Sequence, residues 1–194
     1  MSGAMLKQAV RGLDEWMKQK GREINVDEIA DIIAQHAITT AISAAASGVI
    51  PGVGGGIAFG IASASTITMY GRLAKAIGVR LDNGLIRALA SAVAADLAAA
   101  IGAYIVAATV ISFIPGAGTM GSAMLTGVAN YGFVYLAGII FIELAVTLGV
   151  SKMETMSEDE LKTKAKKIRK GMDIKAVMKE AREIYKKEAA SSVH

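Results

Sequence analysis

Apolar positions recur at helical spacing from the start of the chain. Leu6, Val10, Leu13 and Met17 fall on one face of a helix over residues 4–20, with Trp16 beside them. The stretch GREIN breaks that pattern. Asn25 then opens a second helix, with Glu28 three residues on as in a capping box. From Ile32 to Val49 this helix loses its polar face, and Pro51 with the glycines after it ends the run. A third helix from about Gly54 is apolar to Tyr70 and then meets Arg72 and Lys75. LDNG at 81–84 marks a turn or helix start, a fourth helix runs from about Leu85 to Ile114, and a fifth from about Thr119 to Val150. Ser157 with Glu160 forms a capping box for a helix ending near Gly171. Asp173 caps another, with Ile174, Val177, Met178, Ala181 and Tyr185 on one face. No strand period occurs, so the expected fold class is all-α.

The two breaks inside apolar sequence are alike. IPGVG begins at Ile50 and IPGAG at Ile114, so Pro51-Gly52 and Pro115-Gly116 occupy equivalent places. Pro stops each helix and Gly permits the reversal, which predicts two helical hairpins. The nearest ionised side chains around Pro51 are Asp31 and Arg72; around Pro115 they are Asp96 and Glu143. Each arm therefore has at least 18 residues without charge. At 1.5 Å per residue such an arm is about 27 Å long, close to the roughly 30 Å hydrocarbon core of a bilayer.

Charge sharpens this picture. All 21 Lys and Arg lie in three blocks: before residue 23, between 72 and 87, and after 151. Two hairpins place these blocks on one side and both Pro-Gly turns on the other, the positive-inside pattern, with both termini cytoplasmic. Three segments follow: an amphipathic N-terminal helix within 1–24, an apolar helical-hairpin domain over 25–150 that is membrane-embedded or simply apolar, and a charged helical tail over 151–194. The tail interleaves twelve basic with eight acidic residues. It reads as a solvated or partner-binding hairpin and not as a nucleic-acid surface, and its surplus charge suits an anionic leaflet. Composition agrees: 53% of residues are apolar but only 5% aromatic, 21 are Gly, and the mean hydropathy is +0.45. The competing account is a soluble Ala-rich helical bundle, because core helices are also apolar all round. Polar residues within the arms, among them Gln35, His36, Thr39, Ser63, Thr66 and Asn130, favour it.

The sequences IPGVGGGIAFGIASASTITMYGRLAKAIGV and ISFIPGAGTMGSAMLTGVANYGFVYLAGIIFIE resemble the GTPase-associated domain of unknown function found in bacterial inner-membrane proteins. Pro51, Met69, Arg72 and Gly78 fit its first part; Pro115, Gly116 and Gly118 fit its second. The resemblance covers about residues 45–148. It departs where Val53-Gly54-Gly55 replaces an acidic residue, and no GxxxxGK[ST] loop is present. It implies a membrane-associated helical module in a bacterial inner membrane, working beside a separately encoded GTPase, and it carries over no catalytic residue.

Candidate chemistry is sparse. GVGGG at 52–56 lacks the strand before it and the Lys after it that a phosphate loop needs. The chain has no cysteine and only two histidines, His36 and His194. His36 reads as an interhelical hydrogen-bonding group. No catalytic, cofactor or metal constellation emerges, so the expected function is non-enzymatic. Gly56 with Gly60, and Ala123 with Gly127, are small-xxx-small pairs that favour close helix packing within one chain or between copies in a homo-oligomer. Asp96 and Glu143 flank the second hairpin. They line a polar path if the protein is a pore or small transporter, or mark where the arms leave the lipid. Trp16 is placed as an interfacial anchor. The leading expectation is a protein that oligomerises in or on a lipid bilayer to organise, shape or anchor it.

Overall fold

In the computed structural model the structure is described for residues 3–48, 54–112 and 118–191, with side chains over 3–46, 59–102 and 123–188. Among the described residues all regular structure is α-helical: α1 (Ala4–Gln19), α2 (Val26–Gly48), α3 (Gly54–Ile77), α4 (Asn83–Ser112), α5 (Gly118–Leu148), α6 (Val150–Thr155), α7 (Glu158–Gly171) and α8 (Ile174–Ser191). The fold class is all-α, as expected. The turn residues Pro51, Gly52, Pro115 and Gly116 lie outside the described residues.

Local chemistry sets the helix ends. Asn25 Oδ1 accepts from the Glu28 amide at 3.1 Å, Asp82 Oδ1 from Leu85 at 2.9 Å and Asp173 Oδ1 from Ala176 at 3.1 Å. Each satisfies an amide that the first helical turn leaves without a partner. LDNG is therefore a helix start. Ser157 and Glu160 complete the reciprocal capping box. At Gly149 the backbone turns to φ 81°, which ends α5 close to the expected Val150 and lets the short α6 begin, a helix that the sequence pattern does not mark.

The Glu160 carboxylate accepts from both the Ser157 amide and hydroxyl, at 3.0 and 2.8 Å, and this holds it below its ordinary value of 4.5. A depressed folded-state value means the contribution is present above 4.5 and is lost as pH falls through the lowered value. By NMR the Glu160 carboxyl carbon should titrate below 4.5, and in Ser157→Ala it should return to the ordinary range. An unchanged titration in the variant would remove the capping box from the account.

Helix α5 is the axis of the molecule. Helices α1, α2, α3, α4, α7 and α8 all pack on it; α1 and α8 also touch α2, and α7 touches α4. Every residue from Thr126 to Ile142 is buried. Leu6, Val10, Leu13 and Met17 of α1 are at most 1% exposed, as their spacing predicts, and Val177, Met178, Ala181 and Tyr185 of α8 join the same core. The terminal helices thus lie along the flank of α5, not beyond its end.

Candidate functional site

Three helices are long and apolar enough to cross a membrane: Val26–Ala46, Asn83–Gly102 and Ala123–Leu148, with mean hydropathies of 1.3, 1.7 and 1.9. The fold separates them. In the α5 stretch 78% of positions are buried inside the protein, against 39% in each of the other two. Burial among neighbouring helices suffices to explain why α5 is apolar all round. It does not explain the outward faces of α2 and α4.

Those faces form the candidate site. On α2 the exposed positions after Asp31 are Gln35, Thr39, Ile42, Ser43 and Ala46. On α3 they are Gly60, Ala64 and Thr68 before Arg72, and on α4 Ser91, Ala95 and Ala99 after Arg87. None is charged. Among the described residues the exposed large hydrophobic ones are Ile42 (48%) and Met124 (38%). Three hydroxyls on α3 are satisfied within the helix. Ser63, Thr66 and Thr68 hydroxyls donate to the carbonyls of Phe59, Ala62 and Ala64 at 3.0, 2.9 and 3.3 Å. Asn130 Nδ2 on α5 donates to Thr126 O at 2.9 Å. Such back-bonding removes much of the cost of placing a hydroxyl in lipid, so these residues do not weigh against an apolar surrounding. His36 Nδ1 lies 3.0 Å from Ser65 Oγ and its Nε2 3.4 Å from Arg72 Nη1, an interhelical hydrogen-bonding role as its position suggested.

Helices α1, α7 and α8 form a charged collar. Exposed Lys7, Arg11 and Glu15 line α1; Lys164, Lys166 and Lys167 line α7; Lys179, Arg182, Glu183 and Lys186 line α8. Close approaches at glycine seat this collar on α5. A Cβ at Gly127 would lie 2.3 Å from the Tyr185 hydroxyl, and one at Gly132 would lie 2.4 Å from Met178 Sδ. Helix α8 therefore runs antiparallel to α5. At Gly127 the close neighbour is Tyr185 of the same chain. Gly132 and Gly138 do the same work and escaped the sequence reading, because neither belongs to the four-residue spacing that marked Gly127.

The remaining expected residues fall in different places. Gly60 is exposed, and a Cβ there would meet no atom within 4 Å. Gly56 lies in α3 and Ala123 in α5, and the Ala123 side chain is half-buried. Asp96 is held by Arg169 of α7: Nη2 donates to Oδ1 at 2.8 Å and Nε donates to Oδ2. This bidentate pair pins α7 to α4 and raises the Arg169 guanidinium above its ordinary value. Asp96 opens into a cleft of about 390 Å³ with Lys162 and Lys166. Glu143 opens into two others, one of about 720 Å³ toward Lys7 and Arg11 of α1 and one of about 450 Å³ toward Lys164 and Lys167 of α7. The two carboxylates share none of these three clefts. Trp16 is half-buried, packed over Gly149 at the end of α5, with Lys20 Nζ 6.0 Å from its ring. That contact accounts for its position without lipid.

No family model matches the chain, and no curated protein or solved structure matches it. The fold and this surface define a class: an all-α helical protein with three helices apolar enough to cross a membrane and uncharged exposed stretches along α2, α3 and α4.

Proposed function

We propose that this protein is a non-enzymatic, membrane-associated helical protein that seats its uncharged side in a bilayer and oligomerises there to organise, shape or anchor it. The observation that supports this is the division of its surface. Exposed positions along α2, α3 and α4 carry no charge over the stretches nearest the hairpin ends, while α1, α7 and α8 carry most of the exposed charge. An all-soluble bundle gains nothing from such segregation, whereas a bilayer selects for it. The resemblance to GTPase-associated membrane domains adds a separately encoded GTPase as the partner. A bacterial inner membrane, with both termini cytoplasmic, is the location that fits.

The test is flotation. Detergent-free protein mixed with vesicles containing anionic lipid should rise with them in a density gradient. Protein left entirely at the bottom would sink the reading.

Oligomerisation draws support from small exposed residues at four-residue spacing. Gly60, Ala64 and Thr68 on α3, and Ser91, Ala95 and Ala99 on α4, let a second helix approach closely. The chain has no cysteine, so Ala64→Cys is a clean probe. It should form a disulfide-linked dimer under mild oxidation in vesicles, while Lys175→Cys on exposed α8 should not. Equal cross-linking of both would indicate random collision.

A further inference from the structure

We infer that the cleft between α5 and α7 binds a phosphoethanolamine group, taking its ammonium on Glu143 and its phosphate on Lys164 and Lys167. As a phospholipid headgroup this ligand rests on the membrane reading above and names the lipid group the protein meets. The cleft measures about 450 Å³, within the roughly 300–1,000 Å³ of small-molecule sites. Its two walls differ in charge. Glu143 and Thr147 stand one turn apart on α5, and Lys164 and Lys167 one turn apart on α7. Among the described residues none of these four side chains is held by a hydrogen bond or an ion pair. Glu160, one turn before Lys164, already accepts from Ser157. Half-buried Ile168 and Met172 add apolar surface to the α7 wall. A simple anion drawn to the lysines would meet the Glu143 carboxylate, and a simple cation would meet two ammonium groups. A zwitterion with its charges two carbons apart satisfies both walls, and its N–H groups give Glu143 charge-assisted hydrogen bonds. The neighbouring α1 cleft has no surplus charge to offer: Lys7 and Arg11 there stand against Glu15 and Glu143. The level suits a headgroup. Glu143 lies 25 residues from the start of α5 at Gly118, and Arg87, the basic residue of α4, lies 25 residues from its end at Ser112. The two helices pack on each other and are joined by residues 113–117, so they run antiparallel and the two positions lie near one level. Basic residues mark the headgroup side of a membrane helix.

Full-length protein tests this in two arms, with the melting temperature of every variant checked against the parent chain. In the first arm free phosphoethanolamine is titrated into detergent-free protein by calorimetry. In the second, flotation is measured on vesicles in which phosphatidylethanolamine replaces phosphatidylcholine at a fixed fraction of phosphatidylglycerol. Phosphatidylcholine keeps the phosphate but offers Glu143 no N–H, so it is the matched control. Partition should rise about fivefold or more with phosphatidylethanolamine. Lys164→Gln/Lys167→Gln should abolish that gain, and so should Glu143→Gln. Lys175→Gln/Lys179→Gln removes the same charge from exposed α8 and should keep it. The sign at Glu143 decides between sites, because removing a carboxylate strengthens the hold on a plain anion. A gain that is unchanged or larger in Glu143→Gln, or that survives loss of both lysines, overturns the inference. A gain on vesicles without heat from the free ligand assigns the site to the lipid. Flotation with no preference for phosphatidylethanolamine, and no heat in the first arm, overturns the inference and leaves membrane association standing. Heat from free phosphoethanolamine with the same variant pattern, but no flotation, keeps the site for a soluble ligand and overturns the membrane reading. Failure of both arms overturns both.

Discussion

Gly138→Val is expected to destabilise the protein by about 3 kcal/mol or more, the upper range for overpacking a core. A Cβ at this position would stand 2.8 Å from each of Ile33 Cδ1, Cγ1 and Cγ2. Real Cβ atoms do not approach so closely, so Ile33 or one of the two helices must move. Ile33 has little freedom to do so. It is β-branched and stiff at χ1, and it is fully buried. Helices α2 and α5 share an extended interface here, so a shift would be felt along both. The helix-propensity gain on replacing Gly with Ala is about 1 kcal/mol, and Val gains less, so propensity cannot offset the clash. Gly60→Leu is the control. No atom lies within 4 Å of a Cβ there, so detergent-free protein should melt at the native temperature or slightly above it. Any defect of Gly60→Leu must then appear in assembly or at the membrane. Urea and thermal unfolding followed by far-UV circular dichroism measure both variants. Native stability for Gly138→Val would show that α2 and α5 do not meet through Ile33.

This contrast shows what kind of information the sequence holds. Helix limits were legible because caps are local: Asn25, Asp82, Ser157 and Asp173 each act on an amide three residues away. The buried face of α1 was legible because 3.6-residue periodicity is local too. The role of α5 was not. A helix apolar all round fits either lipid or protein surroundings, and only tertiary packing shows that residues 126–142 are covered by other helices. The partners of Asp96 and Tyr135 stand 73 and 45 residues away in sequence, with no periodic signal connecting them. Gly132 and Gly138 were missed for the same reason: what requires glycine there is a side chain on another helix. Trp16 was legible as an amphipathic residue at a helix end, but not as the cover over Gly149.

The hydroxyl of Tyr135 carries the second large effect. The residue is fully buried. Its hydroxyl donates to Glu180 Oε1 of α8 at 2.7 Å and accepts from the Leu6 amide of α1 at 3.2 Å. The Met5 amide donates to the same Glu180 oxygen at 3.2 Å. One oxygen of α5 thus ties the first turn of α1 to the middle of α8, and both belong to the collar. Tyr135→Phe keeps the ring and its stacking on Tyr131 at 5.9 Å, and deletes only the hydroxyl. The Leu6 amide is then left buried without its acceptor, and Glu180 loses its shortest donor. Leaving such groups unsatisfied costs about 1–3 kcal/mol, toward the upper end where the acceptor is charged. At roughly 1.4 kcal/mol per decade, local opening of α1 and α8 should become about 10–100-fold more frequent. Hydrogen exchange should therefore accelerate in the first turn of α1 and in α8 together, while α2 and α3 keep their native protection. Glu180→Gln keeps an acceptor oxygen in place and should show a smaller rise in the same two helices. Acceleration spread evenly over all helices would mean that the hydroxyl contributes to global stability alone and does not fasten the collar.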